Sequence, residues 1–178
     1  MDIPRGAIFA QNNPGWLGRL IIWGQRVSGE YVSGFEPASH VGVVAHTEPD
    51  GTLLVWDSQA GLREGVRIRP MFADEQRRTR FMLLQGWEQL EDRDIECGMS
   101  AIRELYGWKY DWIGVASAGL FNTRRFFCSE IVHRFGVYSF ARPETCAVFP
   151  HGVWPWRDDE FFTPNDALSA CGEPLGDS

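Results

Sequence analysis

A cysteine that opens a helix and a histidine on an earlier strand are the parts from which nucleophilic acyl transfer is built, and this chain has both. In Phe126-Phe127-Cys128-Ser129-Glu130-Ile131-Val132, Cys128 heads an amphipathic stretch. At about 100° per residue, Ile131, Val132 and Phe135 share its face, so the thiol is expected to point inward across a sheet. A helix N-terminus carries partial positive charge and unpaired N–H groups, which lower a thiol's pKa and bind a developing oxyanion. The competing reading of this segment is a small buried cysteine that fills core space.

The candidate base is His40, in Ser39-His40-Val41-Gly42-Val43-Val44, with Val55-Trp56-Asp57-Ser58 on the strand that follows. If the hairpin turn centres between Glu48 and Pro49, Val44 faces Leu53, Gly42 faces Val55 and His40 faces Asp57 on one side of the sheet. A carboxylate there would fix the tautomer of the histidine and stabilise its imidazolium. A slip of one residue would pair His40 with Ser58 instead. Gly42 would leave open space beside the histidine for another backbone or a substrate. The other histidines read as surface residues: His46 lies near the turn, His133 lies off the Cys128 face, and His151 lies in an irregular tail.

The elements that must position these groups follow from periodicity and turn chemistry. Gly6 to Ala10 reads as a first strand, Trp16 to Val27 as an amphipathic helix and Ser28 to Pro37 as a loop. Ser39 to His46 and Thr52 to Ser58 form a hairpin across a turn of Pro, Asp and Gly. Val66 to Arg69 and Arg80 to Gln85 are further strands. Asp92 to Tyr106 is predicted helical, with Gly107 as its C-cap, and Cys128 to Phe135 is a helix stopped by Gly136. Ala141 to Glu160 reads as an irregular wrap rich in Pro and Trp, and Thr163-Pro164-Asn165-Asp166 opens a last short helix.

At 178 residues the chain suits a single domain, 1–178, and its 44% hydrophobic content supplies a core. A net charge of -7 argues against nucleic acid as a partner. The arginines of Arg63 to Arg80 and Arg124-Arg125 read as solvated faces. Cys97, Cys128, Cys146 and Cys171 form no CxxC pair and no zinc-ligand spacing, so neither metal nor cofactor is expected and all four read as free thiols. The N-terminus lacks the pattern of a secretory signal and no stretch suits stable membrane insertion. A cytoplasmic location is therefore expected, unless a phage particle or secretion system carries the protein.

These segments together with Gly107-Trp108-Lys109-Tyr110-Asp111 resemble the YiiX-like permuted branch of the NlpC-type, papain-like superfamily. The histidine strand precedes the cysteine helix, as in that branch, and the resemblance runs from Gly6 to the Thr163-Pro164 helix. It implies an α+β, circularly permuted papain-like fold, with an antiparallel sheet packed against the helix carrying the nucleophile. It also implies a cysteine hydrolase that opens an amide or ester through a thioester, with acyltransferase chemistry open as well. Cys128 would be nucleophile, His40 base and Asp57 the orienting third residue, with Tyr110 and Ser39 shaping the substrate pocket. The implied partner is a small substrate, either a peptidoglycan-type peptide or an acyl or lipid-type compound. The alternative is a non-catalytic papain-like module in a phage or secretion assembly.

Overall fold

Val, Ile and aromatic residues alternate through much of the first half of the chain, and they fold into strands because side chains of this shape pack on a pleated surface. The computed structural model describes residues 3–13, 15–28, 38–59, 65–110, 128–140 and 171–175. Its architecture is α+β. Six strands, β1 (Ile8–Gln11), β2 (His40–Thr47), β3 (Leu53–Gln59), β4 (Gly65–Met71), β5 (Arg80–Leu84) and β6 (Cys171–Pro174), form one sheet in the order β4-β3-β2-β1-β5-β6. Every neighbouring pair is antiparallel. Among the described residues the α-helices are α1 (Trp16–Ser28), the single turn α2 (Ala73–Gln76), α3 (Asp92–Arg103) and α4 (Cys128–Phe140).

The sheet buries both faces. Ile8, Val41, Val43, Trp56 and Met82 on one face join Ile95, Met99 and Ile102 of α3 and Ile131, Val132 and Phe135 of α4. Phe9, Val44, Leu53, Val55, Met71 and Phe81 fill the opposite face. Burying one such side chain contributes on the order of 1.5–3 kcal/mol, so the helix-covered face is what anchors α4.

Two helix ends differ from the sequence expectation. Hydrogen bonds from Leu105, Tyr106 and Trp108 reach back only three residues, so the α-helix closes at Arg103 and a tighter turn leads to Gly107. Gly107 does adopt the left-handed conformation, at φ 82°. Gly136 does not stop α4, which runs on to Phe140. Buried Gly98 of α3 faces Phe135 and Ser139, a close approach that a β-carbon would block, and packing against α3 outweighs the weak helix preference of Gly136. The expected tail structure and the Thr163-Pro164 helix lie outside the described residues. Among the described residues no helix is long and apolar enough to cross a membrane.

Candidate active site

Hairpin geometry decides whether His40 and Asp57 share a face. The turn closes wider than expected: the Glu48 N–H donates to the Thr52 carbonyl at 2.8 Å, Gly51 takes φ 83°, and Thr47 pairs with Leu53. That pairing lies three residues from the expected register, an odd offset that would send His40 and Asp57 to opposite faces. A bulge between Val44 and His46 takes one residue back, so that Val44 pairs with Val55. The expected pairings of Val44 with Leu53, Gly42 with Val55 and His40 with Asp57 are therefore incorrect, although the even final offset restores the common face.

Continued toward His40, this register sets Gly42 across from Asp57 and makes His40 the diagonal neighbour of the carboxylate. Diagonal positions stand about 7–8 Å apart between backbones, which an imidazole and a carboxylate can span. His40 Nε2 lies 3.1 Å from Asp57 Oδ2, and both side chains are buried. Of the two occupants expected beside Gly42, another backbone or a substrate, it is another backbone that is found. A β-carbon there would run into the Phe9 ring and the Trp56 carbonyl, so protein rather than open space occupies the place beside it. The Phe9 ring packs against His40 with centroids 5.8 Å apart.

Cys128 is the first residue of α4 and is buried. Its thiol interacts with the His40 ring by hydrogen bond and charge. Burial alone would lower the pKa of His40; hydrogen bonds to Asp57 and Cys128, and the negative charges of both, outweigh it and raise it from 6.5 to about 10. Burial likewise works against the Asp57 carboxylate, yet the His40 hydrogen bond and the charges of His40 and Arg69 hold its pKa down at about 2. Together the two shifts keep a proton on the imidazole and the negative charge on Asp57 at neutral pH.

A larger polar network surrounds the carboxylate. Arg69 Nε donates to Asp57 Oδ2 at 2.7 Å and Arg67 Nε to Asp57 Oδ1 at 3.3 Å. Arg69 also grips Glu75 of α2 with two nitrogens, at 2.9 and 2.6 Å. Glu75 accepts from Gln11 Nε2 at 3.0 Å, and Gln11 pairs with His40 across β1 and β2. Gln11 Nε2 also donates to Thr79 Oγ1 at 2.6 Å. The reading of these arginines as solvated is overturned for Arg67 and Arg69, whose side chains are 26% and 15% exposed. The signal was present in the sequence: two arginines spaced by two on a strand share a face, and pairing β4 with β3 makes that the face of Asp57.

The remaining expected site residues are positioned as follows. Ser39 is buried and its Oγ accepts the Asn13 backbone N–H at 2.8 Å, so the hydroxyl ties down the turn after β1. Tyr110 is buried at the end of the segment whose Trp108 carbonyl accepts the Val66 N–H at 2.8 Å, which holds it near the start of β4. Asp111, Cys146 and the Trp154-Pro155-Trp156 stretch lie outside the described residues. Cys97, Cys128 and Cys171 are free thiols. Among the described residues no group of three or more His, Cys, Asp or Glu could hold a metal ion.

Comparison of the chain with protein-family models and with curated proteins found no match. The site itself therefore carries the chemical reading: a buried carboxylate 3.1 Å from an imidazole that also interacts with a helix-terminal thiol.

Proposed function

We propose that this protein is a cysteine hydrolase of the circularly permuted papain-like, NlpC-type kind, opening an amide or ester bond through a thioester. One observation carries the reading: buried His40 meets the Asp57 carboxylate through Nε2 at 3.1 Å and also interacts with Cys128, the first residue of α4. The permuted order supports it too, since the histidine strand precedes the cysteine helix.

In the attacking state the Cys128 proton has passed to His40, and the sulfur adds to a carbonyl carbon. The carbonyl oxygen gains charge as the C–S bond forms, and the positive end of the α4 dipole would stabilise that charge. The tetrahedral species collapses when the imidazolium gives its proton to the leaving nitrogen or oxygen, producing the thioester. Acylation removes the negative charge on sulfur, and with it part of what raises His40. The imidazole can then act as base toward water, or toward another acceptor in an acyl transfer.

The test spans peptide and acyl substrates alike. The protein is incubated with peptide-type and fatty-acyl-type activated substrates, acid-quenched and mapped by mass spectrometry. An acyl group on Cys128 that is absent from Cys128→Ser and no longer turns over in His40→Ala supports the proposal. No adduct with either class would leave the papain-like binding module as the better reading.

A further inference from the structure

We propose that Arg69 is the positioning residue of this site: it fixes the Asp57 carboxylate that orients His40, and Glu75 and Gln11 brace it from α2 and β1. The inference rests on the catalytic reading above and extends it to a side chain that touches neither thiol nor substrate. Its basis is a closed ring of contacts. Asp57 Oδ2 is shared by His40 Nε2 at 3.1 Å and Arg69 Nε at 2.7 Å. From Arg69 the ring passes to Glu75, then to Gln11, and returns to His40 through the β1–β2 pairing.

A carboxylate held only by the base it orients can rotate with that base. Here the shorter bond is the one to arginine, and the planar guanidinium is clamped on its other edge by two bonds to one carboxylate. The acid is therefore fixed by a group other than the histidine it orients. The charged and polar groups facing His40 are Asp57 from β3, Cys128 from α4 and neutral Gln11 from β1; Arg67 and Arg69 from β4 and Glu75 from α2 act through Asp57. Arg67, Arg69, Asp57 and Glu75 sum to zero charge. Removing one member consequently changes both the aim of the carboxylate and the field at the ring.

The two effects give opposite signatures in two variants. The His40 imidazolium and the Arg69 guanidinium share Asp57 Oδ2, so they stand within about 6 Å of each other, close enough for like-charge repulsion to disfavour the imidazolium. Arg69→Met removes that repulsion, so the His40 ring titrates at higher pH. Glu75→Gln leaves Arg69 unneutralised, so the ring titrates at lower pH. Loose aim of the base costs on the order of 10- to 100-fold in kcat in both variants with KM unchanged, the scale of a misplacement near 1 Å. Arg69→Lys restores a point charge without the planar fork, bringing the titration back toward wild type while kcat stays low.

The experiment is an NMR titration of the His40 ring, assigned by its loss in His40→Ala, alongside steady-state kinetics and a circular-dichroism check of folding. Opposite shifts for Arg69→Met and Glu75→Gln, with kcat lowered in each, are the expected result. Shifts in the same direction mean general loosening and overturn the proposal, as does wild-type kcat with an unmoved titration. If Arg69→Met does not fold, Glu75→Gln and Arg69→Lys still decide the matter. If the wild-type protein forms no acyl-enzyme the catalytic reading falls, while the titrations still test how Arg69 acts on His40.

Discussion

Replacing Asp57 by Asn keeps the size of the side chain and removes its charge, and the surroundings of this residue make the outcome specific. Asp57 has no exposed surface and receives N–H groups from His40 at 3.1 Å, Arg69 at 2.7 Å and Arg67 at 3.3 Å. An amide offers one acceptor oxygen and an NH2 group that must meet a donor, so the buried cluster gains a positive charge and loses at least one hydrogen bond. Breaking a buried pair by removing one partner costs about 3–5 kcal/mol. For a domain of this length, at about 2–4 °C per kcal/mol, Tm is expected to fall by roughly 6–20 °C. Total stabilities of about 5–15 kcal/mol leave most of that range folded at 25 °C. The pH dependence separates this account from a simple packing defect. His40 is raised in the folded state, from 6.5 to about 10, so its contribution is complete below pH 6.5 and is lost as pH rises toward 10. Asp57 is depressed, from 3.8 to about 2, so its contribution is complete above pH 3.8 and is lost as pH falls toward 2. The stability gap between wild type and Asp57→Asn should therefore be widest between about pH 4 and 6.5 and should narrow toward pH 10. Denaturant unfolding at pH 5.5, 7.5 and 9.5 measures it. A gap below 1 kcal/mol at pH 5.5, or one that stays constant to pH 9.5, refutes the reasoning.

Iodoacetamide at neutral pH should label Cys128 well before Cys97, and Cys171 last, because burial pushes the Cys171 thiol up to about 12; peptide mapping over time checks the order, and faster labelling of Cys97 would count against an activated Cys128. Gly42→Ala should destabilise the fold by about 1–3 kcal/mol and slow Cys128 alkylation, since the new methyl group displaces the Phe9 ring that packs on His40. Unchanged alkylation in a destabilised Gly42→Ala protein would separate the glycine from the site. Thiol counting under denaturing, non-reducing conditions should return four, and a count of two would point to an oxidising destination.

The order of the groups on the chain matters to the proposed chemistry. Histidine and carboxylate come from one hairpin and form a local unit, whereas the nucleophile arrives on a helix 88 positions after His40. The shared core of α3, α4 and the sheet, with Phe135 and Ile131 fully buried, is what brings it there. Loss of packing between the helices should thus disable the site before the His40–Asp57 pair itself is lost.

The sequence by itself determined what depends on residue type and short-range periodicity. The alternation around His40 and Asp57 specified strands, and the 3.6-residue spacing after Cys128 specified a helix with the thiol at its start. The pairing of an imidazole with a carboxylate was legible because a hairpin is local. Tertiary structure decided what depends on registers and counter-charges. The bulge beyond Val44 and the wide turn at Glu48–Thr52 are invisible to composition, yet together they set which residue lies across from Asp57. Gly136 carried a stop signal that packing against α3 overrode. The arginines at positions 67 and 69 looked solvated because charge usually faces water. Only the pairing of β4 with β3 shows them converging on a carboxylate with no exposed surface, where desolvation makes a partner obligatory.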